Sequence, residues 1–477
     1  MMFIATFLIL IVTAISMLRK SNKSIISLKN ANFQQLQKQY LIVYFIASFA
    51  DWLQGPYVYK LYSDYGFSER NIAILYIVGF ASSSIFGNFV GHLADVYGRK
   101  TLSAAYGIIY SFCCLTKLSS DFYILFFGRI CGGISTSILC TTFDAWYINE
   151  HTNHHKLPIE LMNLTFSQAS FYSGLLAITA GVVSQISAEH FKLGPVSPFI
   201  IAVPFLLTST LIVLTTWTEN SCTKSSTKLK FWSPLKLIFL EKPKLLLIGF
   251  IQSFFEATMY TFIFSWTPII RTLNPPLGLV FACFMVAYMI GSKLYELIIS
   301  KHIQAEIILT GLTIISFLSL SLVTFLIYVM KIQIEAGYLS TSYETLLTQA
   351  CFFLFIIYEI CLGLYDPAIG FIKGKMVPEE NRASVTNWFR VPMNIFTCIT
   401  LTLNQFYEDD RFNTSLSLKT FTQFSYVYLL CSTFLVISLL MSLALYKGNV
   451  IAIEEVKNQA TIKSVVEDSK HLSNKDG

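Results

Sequence analysis

Apolar residues are concentrated in thirteen windows of helix length, and short polar stretches separate the windows. A helix of about 20 apolar residues crosses a hydrocarbon core about 30 Å thick. The windows therefore predict thirteen transmembrane helices and an all-α membrane protein. They lie at residues 2–18, 41–61, 72–92, 102–118, 122–148, 163–187, 199–217, 245–268, 277–299, 305–330, 348–372, 386–406 and 423–446.

A polar stretch near the middle of the chain divides the windows into two groups. When the first window is set aside, six windows precede this stretch and six follow it. This pattern indicates two six-helix halves with one extra transmembrane helix at the N-terminus. The predicted segments are an anchor helix with a cytoplasmic linker (1–40), an N-terminal half (41–217), a cytoplasmic central loop (218–244), a C-terminal half (245–446) and a cytoplasmic tail (447–477).

The first window carries its positive charges after the apolar run. No basic residue precedes it, whereas Arg19, Lys20, Lys23 and Lys29 follow it. A cleaved signal peptide has the opposite charge order. The observed order therefore favours an uncleaved anchor that begins outside and ends in the cytoplasm, with a cleaved signal peptide as the alternative.

Lysine and arginine are unequally distributed between the two sides of this topology. Eighteen of them fall on the cytoplasmic side, and seven, including Lys117, fall in the opposite loops. Cytoplasmic loops of membrane proteins carry such an excess, so the count predicts the orientation of the whole chain. The sequon at Asn413 then lies in an outer loop and is a candidate glycosylation site.

The composition agrees with a lipid environment. Hydrophobic residues make up 54% and charged residues 13% of the chain, and the mean hydropathy is +0.59. A soluble domain carries about 25% charged residues, so this chain lacks the charge to cover a water-facing surface, and its partner is the lipid bilayer. The net charge of +6 is too small and too dispersed to favour nucleic-acid binding.

The sequence contains no motif of a catalytic or cofactor-binding site. A phosphate-binding glycine loop, a G-x-S-x-G elbow and zinc-ligand spacing are all missing. The histidine-rich run 151–155 falls in a predicted cytoplasmic loop without a nearby cysteine, which favours a solvated turn over a metal site. We therefore expect no catalytic residue, metal or cofactor, and a protein that is not an enzyme.

Several ionisable side chains fall inside the apolar windows. Each costs about 3 kcal/mol or more at the centre of a membrane helix and needs a partner or a watery cavity. Three acids, Asp51, Glu256 and Glu359, lie near the middle of their windows. The candidates for substrate binding or coupling are Asp51, Gln54, Arg129, Asp144, Glu256, Glu359 and Arg390.

Some of these residues also have a structural interpretation. Asp51 is equally consistent with a proton or substrate site and with a buried acid that pins its helix to a neighbour. Arginine offers a planar fork of donors that suits an oxyanion, but Arg390 is also consistent with a helix-end side chain that reaches lipid headgroups. Asp366 precedes Pro367, which favours a helix distortion over substrate contact.

The loop between the third and fourth windows reads G-H-L-A-D-V-Y-G-R-K, starting at Gly91. It predicts a very short turn in which Gly91 allows close helix approach, Asp95 caps or pairs with a helix end, and the basic pair marks the cytoplasmic side. The spacing resembles the loop between the second and third helices of the major facilitator superfamily. This resemblance implies the major facilitator fold and a conformational role for the matching residues Gly91, Asp95, Gly98, Arg99 and Lys100.

Four further runs resemble one branch of this superfamily. They are A-D-W-L-Q-G-P-Y-V-Y-K-L-Y from Ala50, C-C-L-T-K-L-S from Cys113, F-D-A-W-Y-I-N-E-H from Phe143 and N-W-F-R-V-P from Asn387. Together they are similar to the eukaryotic molybdate-anion transporter family. The resemblance implies a secondary transporter in the cell membrane that imports molybdate, a tetrahedral oxyanion.

The membrane potential sets a condition on such uptake. A dianion that enters a negative interior costs about 4.6 kcal/mol per 100 mV, so we predict coupling to protons that the midplane acids carry. Arg129 opens the run R-I-C-G-G, which resembles a superfamily motif associated with proton coupling. Two alternatives stay open: a facilitator of another small organic solute, and a non-transporting membrane scaffold or sensor.

Overall fold

The computed structural model of the protein describes residues 2–19, 31–220, 233–242, 244–336, 340–377, 382–406 and 421–448. Every regular element in these ranges is helical, which confirms the all-α prediction. The predicted glycosylation site at Asn413 and nearly all of the predicted tail lie outside the described residues.

Thirteen long helices and two short ones make up the described part of the chain. Each predicted window overlaps a long helix. The bounds are α1 Met2–Arg19, α2 Ala31–Gln54, α3 Val58–Asp64, α4 Glu69–Tyr97, α5 Arg99–Thr116, α6 Phe122–Asn149, α7 Ile159–Gln185, α8 Ser197–Thr216, α9 Ser233–Lys236, α10 Lys244–Ile270, α11 Leu277–Ile299, α12 Ala305–Glu335, α13 Thr341–Met376, α14 Arg382–Phe406 and α15 Phe421–Gly448.

Helix boundaries differ from the windows because helices continue into polar sequence. α2 begins at Ala31, ahead of its window, and includes polar residues such as Gln34. Glutamine is a good helix former, so the helix does not end where the apolar run ends. Part of the predicted central loop is also helical, at α9 and the turn that follows it, where Leu237 is buried.

The long helices pack as two groups. In the first group, α5 packs against α6 and α8, α4 packs against α6, and α2 packs against α7 and α8. In the second group, α13 packs against α10, α11 and α12, and α10 also packs against α14. A hydrogen bond of 2.7 Å between Ser265 and Tyr428 joins α15 to α10. Two seams connect the groups, one between α4 and α14 and one between α7 and α11.

The N-terminal helix α1 packs on the second group, against α11. The Phe3 ring meets the Phe352 ring of α13 edge-on, with 5.0 Å between the ring centroids. The Cys283 sulfur of α11 lies 3.8 Å from the Phe3 carbonyl oxygen. Other apolar side chains of α1, such as Leu8 and Val12, are exposed. This helix therefore packs one side on the second group and presents apolar side chains to the bilayer.

The turn predicted at residues 91–100 is shorter than expected. α4 continues to the residue before Gly98, and α5 begins at the residue after it. Gly98 has a φ of +96°, a conformation that favours glycine. No described residue lies within 4 Å of a Cβ built on Gly91, so the close helix approach expected there stays a prediction. The Asp95 side chain lies outside the described residues.

Glu219, at the start of the predicted central loop, caps α5. Its carboxylate oxygens accept hydrogen bonds of 3.1 Å from the backbone N–H groups of Lys100 and Thr101. A helix N-terminus stabilises such a negative charge. A Cβ on Gly98 would lie 2.3 Å from the Glu219 side chain, and the Arg99 guanidinium donates to a carbonyl of α6 at 3.1 Å. The turn therefore places a positive-φ glycine directly against the acid that caps the next helix.

Candidate functional site

A cavity of about 1450 Å³ lies between the two groups of helices, and both groups line it. Ionisable residues within membrane helices mark a candidate functional site, because each is costly unless it faces water or a partner. The charged lining residues are Asp51, Lys117, Arg129, Lys293, Glu296, Glu359, Asp366 and Arg390.

The structure brings most, but not all, of the sequence candidates to this cavity. Those that line it are Asp51, Gln54, Arg129, Glu359 and Arg390. Asp144 and Glu256 are not among its described lining residues. Asp144 instead accepts a hydrogen bond of 2.6 Å from the Tyr40 hydroxyl, which ties α6 to α2. The geometry of Asp144 therefore matches a buried acid that joins two helices.

Asp51 and Gln54 form a polar face of α2. The Tyr110 hydroxyl of α5 donates to the Asp51 carboxylate at 2.5 Å. Gln54 lies almost one turn later, and its side-chain amide donates to the Ala50 carbonyl of its own helix at 3.3 Å. α2 therefore contributes one acid and one amide to the cavity wall.

Arg129 of α6 is held by neutral groups. Its Nε donates to the Leu75 carbonyl of α4 at 3.1 Å, and its guanidinium carbon lies 5.1 Å from the centroid of the Tyr76 ring. A Cβ on Gly79 would lie 2.6 Å from the Arg129 Nη2, so glycine leaves the space that the guanidinium occupies. No carboxylate among the described residues forms an ion pair with Arg129.

Lys117 is a cavity residue that the sequence analysis missed, because positive-inside counting assigned it to an outer loop. It caps the C-terminus of α5, and only 1% of the residue is exposed. Its Nζ donates to the Tyr62 hydroxyl and lies 4.8 Å from the centroid of that ring. The Tyr65 hydroxyl donates to the Lys117 carbonyl. The available signal was Tyr62 and Tyr65, just after the window 41–61, because a tyrosine offers a buried lysine an aromatic face and a hydroxyl.

Glu359 is the acid that α13 presents to the cavity. It is 4% exposed and lines the wall. Within the described ranges, no residue donates a hydrogen bond to its carboxylate and no cation forms an ion pair with it. A buried carboxyl without a protein donor is costly when ionised, so this position suits a group that exchanges a proton with the cavity.

Glu256 of α10 is not among the described lining residues of the cavity, and it lies in a cluster of acidic and basic residues. The Tyr365 hydroxyl donates to the Glu256 Oε1 at 3.3 Å. Lys373 and Asp366 lie close enough to Glu256 to interact electrostatically, and Lys373 Nζ donates to the Gln252 side chain at 3.2 Å. Lys373 offsets the negative charge of both acids, and Arg390 also interacts electrostatically with Glu256.

Arg390 of α14 faces the first group of helices across the cavity. Its guanidinium lies beside the Cys140 thiol of α6, and its carbonyl accepts from the Asn394 amide at 2.8 Å. No described acid lies within ion-pair distance of it. The predicted alternative, a helix-end arginine that reaches the headgroups, is therefore not the arrangement that the structure has.

The histidine-rich segment forms a π-helical turn at the end of α6, where a solvated turn was expected. The ligand atoms of Glu150, His154 and His155 lie within 4.8 Å of one another. Glu150 Oε1 already accepts hydrogen bonds of 3.0 Å from Thr218 and Asn220. Glu150, the acid among these three residues, is therefore already engaged in hydrogen bonds that hold the end of α6.

The seam between α7 and α11 closes one end of the cavity. The Gly278 backbone N–H donates to the Gln185 side-chain oxygen at 2.8 Å, and a Cβ on Gly181 would lie 2.8 Å from the Gly278 carbonyl oxygen. The Tyr57 hydroxyl donates to Gln185 at 3.1 Å and to Glu189 at 3.0 Å. In the predicted topology, this closed end faces outside.

Comparison with known proteins places the chain among transporters. Residues 2–347 match the MFS_5 family, which is described as sugar transporters with 12 TM. Proteins named molybdate-anion transporters from Takifugu rubripes, Danio rerio and Xenopus tropicalis are 38%, 36% and 39% identical. These matches cover 77–78% of this chain and 78–80% of the relatives.

Solved transporter structures share the fold. The nucleoside transporter NupG aligns with a TM-score of 0.60 at 15% identity, covering 86% of this chain and 99% of NupG. A D-xylose-proton symporter aligns with a TM-score of 0.61 at 10% identity, covering 86% of this chain and 97% of the symporter. At these identities the likeness establishes the fold and nothing about the substrate.

The helices and the relatives agree on the class of protein. Nine of the described helices are long and apolar enough to cross a membrane, and the relatives are named as transporters. The protein is a multi-pass membrane transporter and not an enzyme. The chain belongs to the major facilitator superfamily and, within it, to the family of the molybdate-anion transporters.

Proposed function

We propose that the protein takes up molybdate by alternating access, with protons as the coupling ion. One observation carries the proposal: Arg129 and Arg390 line one cavity from opposite halves, and no described acid forms an ion pair with either. The relatives that carry the name molybdate-anion transporter supply the identity of the anion.

The chemistry of arginine suits this substrate. Molybdate is a tetrahedral dianion, and a guanidinium group offers several N–H donors in a fixed plane and keeps its charge. Arg129 comes from α6, and Arg390 comes from α14 and lies beside Cys140, eleven residues or about 16 Å further along α6. The two guanidinium groups would therefore attract the anion at different depths of the cavity. No described acid lies within ion-pair distance of either one, although Glu256 interacts electrostatically with Arg390.

The position of the cavity supports alternating access. Rocking of two bundles around a site between them exposes that site to each side in turn. The cavity lies between the two groups of helices, and the α7–α11 seam closes one of its ends. Separation of Gln185 from Gly278 would open that end.

Proton coupling would offset the electrical cost of uptake, about 4.6 kcal/mol per 100 mV for a dianion. Glu359 is the acid best placed to carry the proton, because it lines the cavity without a described hydrogen-bond donor. An ionised Glu359 repels a dianion, and a protonated one tolerates it. Asp51, which accepts from Tyr110, is the corresponding acid of the first half.

Uptake by the purified protein in liposomes tests the proposal. We expect labelled molybdate to enter, to enter faster when the outside is acidic, and to enter at least about tenfold more slowly with Arg129→Gln. Asp144→Asn is the control, because this acid lies outside the cavity lining. Wild-type protein that shows no oxyanion uptake, or uptake indifferent to pH, contradicts the corresponding part of the proposal.

A facilitator of a neutral sugar is the second candidate. The matching family is described as sugar transporters, and the cavity wall includes the aromatic residues Trp52 and Trp266, whose ring faces suit sugar binding. Competition separates the two candidates. Inhibition of uptake by tungstate or sulfate supports the anion, whereas inhibition by xylose or nucleosides, or sugar uptake that survives Arg129→Gln, supports the facilitator.

A further inference from the structure

Lys117 and Arg129 both line the cavity from the first half, and the residues that precede them pack together, because a Cβ on Gly128 would lie 2.0 Å from the Thr116 Oγ1. Lys117 Nζ donates to the Tyr62 hydroxyl, and Tyr62 also lies close enough to Arg129 to interact with it electrostatically. Tyr62 belongs to the short helix α3, which joins α2 to α4. Tyr62 therefore contacts the lysine at the end of α5 and lies in the neighbourhood of the arginine of α6.

Neutral groups satisfy both cations. Lys117 is 1% exposed and contacts a hydroxyl and a ring face. Arg129 contacts a carbonyl and the ring face of Tyr76. No described carboxylate forms an ion pair with either cation. Burying a charge that no opposite charge compensates costs several kcal/mol, so an anionic ligand is the natural complement of this pair.

Other basic residues of the cavity region have acidic neighbours. Lys293 lines the cavity from α11 of the second group, and its Nζ is 2.5 Å from a Glu296 carboxylate oxygen. Lys373 lies near both Glu256 and Asp366. Asp51 lies in the neighbourhood of Lys117, because both interact electrostatically with Cys114. The Asp51 carboxylate, however, accepts its hydrogen bond from the Tyr110 hydroxyl. The two cations near Tyr62 thus carry positive charge that nearby acids leave uncompensated.

We propose that Lys117 and Arg129 together form a binding site for a tetrahedral dianion in the first half of the cavity. The site rests on the proposed function and adds a lysine that the sequence analysis assigned to an outer loop. The ammonium supplies a point charge and the guanidinium supplies a fork of donors, which together suit the oxygens of molybdate, tungstate or sulfate. A neutral sugar would leave both charges without compensation.

The site lies beside contacts that join the two halves. The Tyr76 ring, which packs on Arg129, also meets the Phe264 ring of α10 edge-on with 5.2 Å between centroids. Tyr59 of α3 packs on the same Phe264 ring at 5.9 Å. An anion bound between Lys117 and Arg129 would therefore bind next to residues whose contacts must break when the halves separate.

Binding of sodium molybdate and sodium tungstate to the purified full chain tests this site, with calorimetry as the readout. Loss of a charge-assisted hydrogen bond costs about tenfold or more in affinity. We expect Lys117→Met to weaken binding by at least that factor and Lys117→Arg to stay within about threefold of wild type. Lys117→Gln, which keeps a donor for Tyr62, carries the same expectation as Lys117→Met if the methionine variant does not fold.

The matched control is the double variant Lys293→Met with Glu296→Gln. It removes a cation from the same cavity together with its acid, so net charge is unchanged and affinity should stay at the wild-type value. Wild-type affinity in both Lys117→Met and Lys117→Gln overturns the site and leaves the proposed function intact. A wild-type protein that binds no oxyanion overturns both proposals, and equal losses in the control and the Lys117 variants overturn the site.

Discussion

Gln185 at the end of α7 accepts a hydrogen bond of 2.8 Å from the backbone N–H of Gly278 at the start of α11. The two helices belong to different halves, and their backbones meet at two glycines: a Cβ on Gly278 would lie 2.2 Å from the Gly181 carbonyl oxygen. Small residues of this kind allow helix backbones to approach closely in a membrane. The closed end of the cavity therefore depends on the absence of side chains at Gly181 and Gly278.

The substitution Gly278→Ala should keep α7 and α11 apart at the closed end of the cavity. The added methyl group meets backbone atoms of α7 that cannot move independently of the helix. We expect Cys113 and Cys140, which line the cavity, to react faster with a membrane-impermeant maleimide added from outside. Gly311→Ala is the control, since nothing lies within 4 Å of a Cβ at that position. Equal labelling of wild type and Gly278→Ala contradicts this interpretation of the seam.

The turn between α4 and α5 should be intolerant of a side chain. In Gly98→Ala, the methyl group meets the Glu219 carboxylate and the residue keeps an unfavourable positive φ. We expect a loss of about 1 to 3 kcal/mol in the free energy of unfolding, measured as a lower melting temperature in detergent. Gly91→Ala lies within the same motif, and its Cβ would have no described residue within 4 Å, so it should change stability by no more than about 1 kcal/mol. Similar melting temperatures for the two variants would refute the prediction.

The packing of Arg129 allows its position to be changed without changing any charge. In Gly79→Ala the new Cβ would lie 2.6 Å from the Arg129 Nη2, so the guanidinium must move. We expect molybdate affinity to fall by about tenfold, the value of one charge-assisted hydrogen bond. Gly87→Ala on the same helix is the control, because its nearest contact is the Ser137 Oγ at an ordinary 3.7 Å. A shift in melting temperature without a shift in affinity would argue against a role for the guanidinium in binding.

Removal of the Glu359 charge should separate transport from the proton gradient. With Glu359→Gln, the cavity keeps its shape and its cations, so exchange of labelled for unlabelled molybdate should persist. Net uptake driven by an acidic exterior should fall by about tenfold or more, because no proton accompanies the anion. Asp144→Asn, at an acid that accepts from Tyr40 away from the cavity lining, should respond to the gradient like wild type. A Glu359→Gln protein that responds in the same way excludes this residue as the carrier.

The sequence was sufficient to predict where the long helices lie, because an apolar stretch of membrane thickness has few structures available to it. Each of the thirteen windows overlaps a described helix, and nine of the described helices are long and apolar enough to cross a membrane. Their ends were less predictable, as α2 shows by beginning at Ala31 in polar sequence. Hydropathy reports where the chain lies in lipid, whereas helix ends depend on backbone hydrogen bonds and caps.

Charges near the ends of helices were the hardest to place. Lys117 lies at the end of the window 102–118 and was predicted to be an outer-loop residue, yet the packing of α3 beside it places the Tyr62 ring against its ammonium group. Asp51 and Asp144 were both predicted to be candidates for substrate binding or coupling, but Asp51 lines the cavity whereas Asp144 accepts a hydrogen bond from Tyr40. Such assignments depend on which neighbouring helix faces each side chain, and helix periodicity alone does not fix that choice.

Because α1 packs on the second half, the position of the N-terminus can report movement of that half relative to the first. This helix precedes the first half in the chain but packs on α11 and reaches Phe352 in the second half. In the proposed alternating-access cycle, α1 would travel with the bundle to which it is not directly connected. A dye attached near Met2 and a second dye on α6 would therefore register each transport cycle as a change in energy transfer.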